Sequence, residues 1–340
     1  MNEQIEAALN RVLNHEDVPA HETRRAMAEL MGGRCSVVEI AVLLTALRVK
    51  GESVGEIVGA AQAMQEHATP ITTERTGLLD TCGTGGDQLH TFNISTAAAL
   101  LAAAVGVPVA KHGNRSVSSS SGSADVLEAL GVNLQLTPDQ VGRCLDEVGI
   151  GFCFAPLLHG AMKHAAPVRK QLRFHTVFNL LGPLTNPAAA AFQLLGANRP
   201  DMAKKLAYAL ARLGRRHAMV VCGAGELDEV SLWGETTVFE VAGGEVTEFF
   251  WTCETFDLPS CNVGQLKVNS PMESAHLIRN VFAGEQGPAR DIILANTAAA
   301  LMAAEYCVDP NAGVQVAAET IDSGKANDMC RSLVKFTNSI

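Results

Sequence analysis

The chain has 340 residues, and 26 Lys and Arg against 36 Asp and Glu give it a formal net charge of −10. Such an acidic balance disfavours sequence-independent binding to nucleic acid, which depends on a basic surface. Hydrophobic residues make up 47% and charged residues 18%, which is enough apolar material for a core and excludes global disorder. The length fits one large domain, or a large domain with a small one.

The compartment is predicted from the cysteines and the N-terminus. The nine cysteines include no CxxC pair, which favours reduced thiols in a cytoplasmic protein over a disulfide framework or a zinc site. The polar start, MNEQIEAALN, has no signal-peptide core. The longest apolar stretch, residues 96–110, is too short to cross a membrane. We therefore expect a soluble, cytoplasmic protein.

The first seventy residues carry helical periodicity and no strand pattern. Apolar residues recur at helical spacing, as at Ile5, Ala8 and Val12. Ser36 and Ser53 are each followed three positions later by glutamate, a pattern typical of a capping box at a helix start. These features predict a compact helical unit.

Short apolar runs alternate with helical stretches after residue 72. Runs near residues 77–79, 107–110, 151–154, 192–196 and 217–222 are each followed by a helical pattern or a polar loop, including helices over 159–168 and 200–213. Residues 237–241 and 246–251, joined by a glycine-containing turn, indicate a β-hairpin. The rhythm predicts an α/β domain with a mixed, mainly parallel sheet.

A glycine-rich turn follows the first of these predicted strands. Gly83, Gly85 and Gly86 lie within four positions and are followed by Asp87. Glycine permits positive φ and lets backbone N–H groups approach an anion, so such turns often bind phosphate. The spacing is neither GxGxxG nor GxxxxGK[ST], and a purely structural turn explains the glycines equally well.

Hydroxyl and amide side chains precede the next helix. Thr91, Asn93, Ser95 and Thr96 can cap that helix, which is the common role for such residues. They can also bring an anion to the helix N-terminus, and the hydroxyls can bind magnesium.

Cations follow the second predicted strand. Lys111 and Arg115 lie at its end, before a serine run that continues to Ser123. Open α/β sheets bind ligands at the carboxyl ends of their strands, and a diphosphate needs cations and N–H or O–H donors. The serines also fit a flexible linker. The convergence of three donor-rich loops makes residues 80–123 a predicted phosphate site.

Two further features complete the predicted site. Asp228 and Glu229 follow the predicted strand that ends at Cys222, where carboxylates can bind magnesium, although such pairs are often a solvated turn. Arg169 lies in a helical pattern, where arginine is usually a surface charge, but its planar guanidinium also suits a substrate carboxylate.

Together these segments resemble the signature of the anthranilate phosphoribosyltransferase family, in family order along almost the whole chain. The matching segments are 83–87, 93–96, 111–115, 122–128, 178–187 and 227–230. The resemblance implies a nucleoside phosphorylase/phosphoribosyltransferase-like fold, with a small all-helical domain and a large α/β domain. The implied helical domain is residues 1–72 plus a returning segment at about 166–186. The implied α/β domain is residues 73–165 and 187–340.

The resemblance also implies the activity and the site. Family members transfer the phosphoribosyl group of phosphoribosyl pyrophosphate to the amine of anthranilate, a step of tryptophan biosynthesis, with two Mg²⁺ ions per subunit and no single acid or base. They are homodimers that pair through the helical domain, without nucleic acid or membrane partners. The implied metal ligands are Ser95, Asp228 and Glu229, and the implied anthranilate-binding residues are Gly83, Asn114 and Arg169. The implied donor-binding residues are Gly83, Gly86, Asp87, Thr91, Asn93, Ile94, Ser95, Thr96, Lys111, His112, Gly113, Asn114, Arg115, Ser116, Val117, Ser118, Ser119 and Ser123.

Two segments depart from the family pattern. Arg173 and His175 stand where the family usually has glycine and arginine, which bears on packing between the domains. Gln88 stands where glycine is frequent, so we expect a stiffer donor loop.

Two alternatives remain at this stage. A pyrimidine nucleoside phosphorylase shares the fold and the reacting ribose carbon, but its glycine motifs differ. A non-catalytic relative that binds nucleic acid needs basic patches and eroded metal motifs, neither of which this acidic chain shows.

Overall fold

The computed structural model describes residues 1–116 and 121–340. Its N-terminal part is helical, with α1 (Glu3–Leu13), α2 (Ala20–Met31), α3 (Val37–Lys50) and α4 (Val54–Glu66). Both predicted capping boxes are confirmed, since the hydroxyls of Ser36 and Ser53 accept from the amides of Glu39 and Glu56, whose carboxylates bond back. The predicted apolar face of α1 is buried.

One mixed sheet organises the rest of the molecule. Within the described residues its strands are β1 (Leu79–Gly83), β2 (Val109–Gly113), β3 (Ile150–Phe154), β4 (Phe192–Gly196), β5 (His217–Gly223), β6 (Thr236–Ala242) and β7 (Glu245–Trp251), in the order β3-β2-β1-β4-β5-β6-β7. The first five strands of that order are parallel, and β6 and β7 form the predicted antiparallel hairpin. The predicted mixed, mainly parallel sheet is confirmed.

Helices cover both faces of this sheet. They are α5 (Ile94–Val105), α6 (Ser123–Leu130), α7 (Pro138–Val148), α8 (Ala155–Leu158), α9 (Ala166–Leu172), α10 (Phe178–Leu181), α11 (Pro200–Arg212), α12 (Pro271–Phe282), α13 (Pro288–Ala303), α14 (Pro310–Asp322) and α15 (Lys325–Thr337). Successive residues of β4 enter different cores: Leu194 packs in the core that contains α5 and α13, and Leu195 packs in the core that contains α11 and α4. Strands buried on both faces are typical of parallel sheets.

The segment predicted as one helix over 159–168 is interrupted. The structure has α8, then a 3₁₀ turn at Gly160–His164, and then α9 with Pro167 in its first turn. Proline has no N–H to continue a helix from the preceding turn but is well placed at a helix start, so the chain restarts here.

The short helices after residue 165 lie against the N-terminal helices. α9 contacts α3, and α10 contacts α4. Val168 and Leu181 share a core with Met27 and Ile57. The division into 1–72 plus 166–186 and the remaining chain stays a prediction, with which these contacts are compatible.

Candidate active site

The candidate site is a cavity of about 770 Å³ at the carboxyl ends of β1, β2 and β5, closed on one side by α9 and α10. This is the edge where open α/β sheets bind their ligands. The predicted residues that line it are Gly83, Gly86, Asp87, Thr91, Asn93, Ile94, Ser95, Lys111, His112, Gly113, Asn114, Arg115, Ser116, Ser123, Arg169, Asp228 and Glu229. Val117, Ser118 and Ser119 lie outside the described residues. The structure thus brings together side chains from segments far apart in the chain.

The glycine turn after β1 is held by Asp228. The Gly85 amide donates to Oδ2 of Asp228 at 2.7 Å, and Gly85 and Gly86 have φ of 68° and 84°. A Cβ on Gly83 would lie 2.3 Å from the same carboxylate oxygen. The glycines are therefore required both by positive φ and by close approach to Asp228.

Gly196, at the end of β4, was not among the predicted site residues. A Cβ there would lie 1.6 Å from the carbonyl oxygen of Asp228, so only glycine allows this backbone contact. Its carbonyl accepts from the amide of Thr84 at 2.9 Å. Gly196 thereby joins the glycine turn to the carboxylate loop.

The carboxylates of Asp228 and Glu229 are partly buried in the wall of the cavity. Burial, together with the neighbouring Asp87, raises the pKa of Asp228 to about 7. Burial and then the charge of Asp228 raise the pKa of Glu229 well above its ordinary value. Glu229 Oε1 accepts from the amide of Ser95 at 3.1 Å, at the N-terminus of α5. Two neighbouring carboxylates with raised pKa values form a site that favours a cation, because a cation relieves their mutual repulsion.

The start of α5 divides into a cap and a cavity-facing part. Oδ1 of Asn93 accepts from the amide of Thr96 at 3.1 Å and also from its hydroxyl. Thr96 is buried, and it is absent from the cavity lining within residues 1–116 and 121–340. The Asn93 side chain therefore caps the helix and engages the Thr96 hydroxyl, whereas the Ser95 hydroxyl lies 3.4 Å from Lys111 Nζ.

The sequence predicted Lys111 at the end of a strand. The structure instead places it inside β2. Its ammonium donates to the carbonyl oxygen of Thr81 at 2.5 Å, and the residue is 2% exposed. Asp80 is fully buried beside it, and its Oδ1 accepts from the amide of His112 at 2.9 Å. Burial lowers the pKa of Lys111 and raises the pKa of Asp80. This pair supports the floor of the cavity from within the sheet.

A buried histidine pair adjoins the cavity and was not predicted to form. His112 Nδ1 lies 2.8 Å from the carbonyl oxygen of Gly182, so this nitrogen carries the proton. His112 Nε2 then accepts from His159 Nε2 at 3.2 Å. Burial lowers the pKa of His112 to about 4 and, with the neighbouring His112, that of His159 to about 3. Both rings are therefore neutral near pH 7.

Arg115 is an ion-paired residue in this structure. Its guanidinium donates to Asp125 at 2.9 Å and to Glu128 at 2.8 Å, and it lies 5.9 Å from the centre of the Phe154 ring. The side chain lines the cavity but is engaged by two carboxylates of α6. The backbone carbonyl oxygen of Asn114 accepts a hydrogen bond from the amide of Ala124, at the start of the same helix.

The opposite wall of the cavity is built around Arg169. Burial lowers the pKa of its guanidinium, which lies 5.3 Å from the centre of the Phe178 ring. Nη2 of Arg169 donates to Oδ1 of Asn179 at 3.4 Å. Arg173 ends α9 with φ of 56°, and a Cβ on Gly86 would lie 3.3 Å from the ring of His175. The departing residues Arg173 and His175 thus lie where the two walls meet.

The third departure, Gln88, also has left-handed backbone. Its φ is 57°, and His90 in the same loop has φ of 58°. Glycine adopts this region without steric cost, whereas an L side chain is disfavoured there. A glycine at position 88 is thus compatible with the loop geometry, and the stiffer loop expected from glutamine stays a prediction.

The comparisons with known proteins define the class first. Residues 75–327 match the glycosyl transferase family, a/b domain, and residues 6–68 match the helical bundle domain of the same family. The chain is therefore an enzyme of the glycosyltransferase class.

Full-length relatives define the family. The chain is 49% identical to the anthranilate phosphoribosyltransferase of Chromobacterium violaceum over 98% of both chains. It is similar to the crystal structure of the Thermus thermophilus enzyme, with a TM-score of 0.92 and 43% identity over 98% of this chain and 99% of that one. The Saccharomyces cerevisiae enzyme in complex with PRPP and Mg is 26% identical, with a TM-score of 0.92, and covers 100% of this chain and 99% of its own. The chain belongs to the anthranilate phosphoribosyltransferase family.

No helix in 1–116 or 121–340 is long and apolar enough to cross a membrane. The same ranges contain no group of three or more His, Cys, Asp and Glu placed to hold a metal by themselves. Any metal bound here would need ligands from hydroxyls, water or substrate in addition to Asp228 and Glu229.

Proposed function

We propose that this chain transfers the phosphoribosyl group of phosphoribosyl pyrophosphate to the amine of anthranilate, giving N-(5-phosphoribosyl)anthranilate and pyrophosphate in tryptophan biosynthesis. The observation that carries the proposal is a single cavity that combines the glycine turn, the Asp228–Glu229 pair and the buried Arg169. The full-length relatives with this activity in their name support it.

We propose that Mg²⁺ binds through Asp228, Glu229 and Ser95, with two ions per subunit. Buried carboxylates with raised pKa values fit a cation, because a cation restores the charge balance that burial removes. Mg²⁺ is commonly bound by one or two carboxylates plus substrate phosphates, which agrees with a protein that supplies few ligands. The ions neutralise the pyrophosphate as it leaves.

The chain's own groups handle the charge that develops when the C1–pyrophosphate bond breaks. Positive charge forms on the ribose and negative charge on the leaving group. The positive end of the α5 dipole and the Ser95 hydroxyl, which lies at that helix N-terminus, favour an anion. Lys111 adds positive charge beneath the cavity floor. Its ammonium donates to the carbonyl oxygen of Thr81 and lies close to the Ser95 hydroxyl. These groups are in place before the donor binds, which lowers the cost of reorganisation.

No side chain needs to act as a single acid or base. The amine of anthranilate is weakly basic and becomes acidic as it bonds to C1, so positioning matters more than proton abstraction. His112, which lines the cavity, has its pKa lowered to about 4 and is a poor base. We expect the pH–rate profile at saturating Mg²⁺ to lack a single controlling enzyme group near neutrality, and such a group would contradict this step.

The direct test mixes the purified protein with anthranilate, phosphoribosyl pyrophosphate and Mg²⁺ and follows anthranilate fluorescence. We expect the fluorescence to decay, and to stop decaying when Mg²⁺ is chelated. Absence of decay with folded protein would overturn the proposal. Incubation with thymidine and phosphate tests the nucleoside phosphorylase alternative, for which we expect no turnover, and salt-sensitive DNA binding tests the nucleic-acid alternative.

We propose a homodimer that pairs through the helical domain, residues 1–72 with 166–186. The outer face of α3 supports this, because Val38 is 69% and Val49 is 78% exposed, and Val37 and Val42 lie on the same exposed surface. Val38→Glu with Val49→Glu should give a monomer by light scattering. Val308→Glu, at a valine far along the chain that is 94% exposed, is the matched control and should leave the mass unchanged.

We also propose the cytoplasm as the compartment. All nine cysteines are free thiols, which accords with a reducing environment.

A further inference from the structure

Asn179 lines the same cavity as Arg169. It is the second residue of α10 and is partly buried. Its Oδ1 accepts two hydrogen bonds, from the backbone amide of Thr176 at 3.0 Å and from Nη2 of Arg169 at 3.4 Å. Asn179 is therefore in direct contact with the guanidinium of Arg169.

These two hydrogen bonds determine the orientation of the Asn179 amide. Both partners are N–H donors, and a flipped amide would set Nδ2 against both of them with no acceptor between. Oδ1 must therefore face Thr176 and Arg169, and Nδ2 must point the other way. Within the described residues, Nδ2 makes no hydrogen bond and is not among the buried polar atoms without a partner. Its N–H groups are therefore accessible and free to donate, on a residue that lines the cavity.

Arg169 lacks an anionic partner in the described part of the chain. Its hydrogen bond goes to an amide oxygen, its aromatic contact is with Phe178, and it forms no ion pair with a carboxylate there. A partly buried cation without a counter-charge favours an anionic ligand, and a guanidinium beside an amide N–H donor is a good match for a carboxylate. The two side chains present N–H donors from the same wall.

We infer that Asn179 is a specificity-determining residue for the acceptor: Oδ1 holds the guanidinium of Arg169, and Nδ2 donates to the carboxylate of the acceptor. The inference rests on the proposed function and extends the acceptor side beyond Gly83, Asn114 and Arg169. It assigns Asn179 to recognition of the carboxylate, with no part in bond making at the amine.

Asn179→Asp is the sharpest test, because it is nearly isosteric and keeps the oxygen that accepts from Thr176 and Arg169. It removes both Nδ2 donors and directs negative charge at the acceptor carboxylate. The KM for anthranilate should rise by roughly 10- to 100-fold, the range of a lost charge-assisted hydrogen bond. The inhibition constant of aniline, which lacks the carboxylate, should change by less than about threefold, as for a neutral ring. The KM for phosphoribosyl pyrophosphate should also remain unchanged.

The outcomes separate the inference from the proposed function. If wild-type protein does not consume anthranilate, the proposed function fails and the inference fails with it. If the wild type is active and Asn179→Asp leaves the KM for anthranilate unchanged, only the inference fails. An equal rise for anthranilate and aniline would show a merely structural role and would also overturn it.

Two further variants complete the test. Asn179→Ala should produce the same selective loss for anthranilate over aniline, and it serves as the test variant if Asn179→Asp does not fold. Asn311→Asp adds the same charge at an exposed position in the first turn of α14, where a negative charge is tolerated. Its kinetic constants should equal those of the wild type.

Discussion

The two walls of the cavity are built in different ways. The donor wall consists of strand ends and the N-terminus of α5, linked by hydrogen bonds from Gly85 to Asp228 and from Ser95 to Glu229. The acceptor wall consists of short helices, α9 and α10, joined by a turn in which Arg173 has left-handed backbone. The first wall is tied into the sheet, whereas the second is held by packing and a few side-chain contacts.

This difference predicts separate roles for the two walls. Charge separation at the ribose needs groups fixed in advance, and a sheet edge provides them. Recognition of a flat aromatic acid needs only a few N–H donors, which side chains on short helices can provide. Substitutions in the donor wall should therefore alter chemistry or stability strongly, and substitutions in the acceptor wall should have smaller effects.

The largest effect should come from the carboxylates proposed to bind Mg²⁺. Asp228→Asn keeps an oxygen for the Gly85 amide but removes the charge, so kcat/KM should fall by roughly 100- to 1,000-fold through loss of metal binding. The measurement is the anthranilate fluorescence assay over a range of Mg²⁺ concentrations. Glu226→Gln, an exposed change in the same loop, is the control and should leave activity intact. Equal activity in Asp228→Asn would contradict the proposed metal site.

The next effect concerns stability beneath the donor wall. Lys111→Met removes the cation between Asp80 and Glu229 and leaves buried carboxylates uncompensated, so the free energy of unfolding should fall by about 3–5 kcal/mol. Urea denaturation measures this change. The exposed Lys335→Met variant should stay within about 0.5 kcal/mol of wild type. A small loss for Lys111→Met would mean that the sheet does not depend on this charge.

A smaller effect, visible as a pH dependence, should come from the histidine pair behind the cavity. The folded pKa values of His112 and His159, about 4 and about 3, lie below the ordinary 6.5, so the unfolded chain binds more protons at intermediate pH. Stability is therefore full above pH 6.5 and falls as pH decreases toward the folded values. At pH 5 each ring costs about 2 kcal/mol by linkage.

His159→Leu tests this pH dependence. Unfolding free energies at pH 7.5 and 5.0 should differ by about 2 kcal/mol less in the variant than in the wild type. The exposed His21→Leu variant is the control and should show the wild-type difference. Identical pH dependence in His159→Leu and wild type would contradict the neutral buried pair.

The smallest effect belongs to the turn of the acceptor wall. Arg173→Gly relieves left-handed backbone, worth about 1–2 kcal/mol, but adds unfolded-state entropy of about 0.5–1 kcal/mol. The net gain in unfolding free energy should be about 1 kcal/mol or less. Lys170→Gly, in regular α9 backbone, should instead lose about 1 kcal/mol. A loss in Arg173→Gly would show that the arginine side chain, and not the backbone, holds this turn.

Local features of the molecule were predictable from the sequence. The capping boxes at Ser36 and Ser53 and the β6–β7 hairpin depend on residues a few positions apart, whose preferences act without the rest of the fold. The glycine turn and the carboxylate pair were recognisable because their residue types match the chemistry of phosphate and magnesium. Even so, their convergence in one cavity was an expectation that only the structure could confirm.

Contacts between distant segments were not predictable in this way. Position 196 must be glycine because the backbone of Asp228 approaches it closely. The Lys111 ammonium donates to the carbonyl oxygen of Thr81, which lies on a neighbouring strand. Asn179 is recognisable only from the donors around its Oδ1. In each case the partner is set by how strands and helices assemble, and neither propensity nor spacing encodes that.

The position of β1 has a consequence for protein synthesis. β1 is an interior strand of the sheet, and its full-length partner β4 begins more than one hundred residues later in the chain. At typical rates of translation, one edge of β1 therefore waits on the order of ten seconds for its neighbour. A buried charge at Asp80 and the hydroxyl of Thr81 make that waiting edge a poor template for pairing with another nascent chain. Asp80, which supports the cavity floor in the finished enzyme, thus also protects β1 from pairing with another nascent chain.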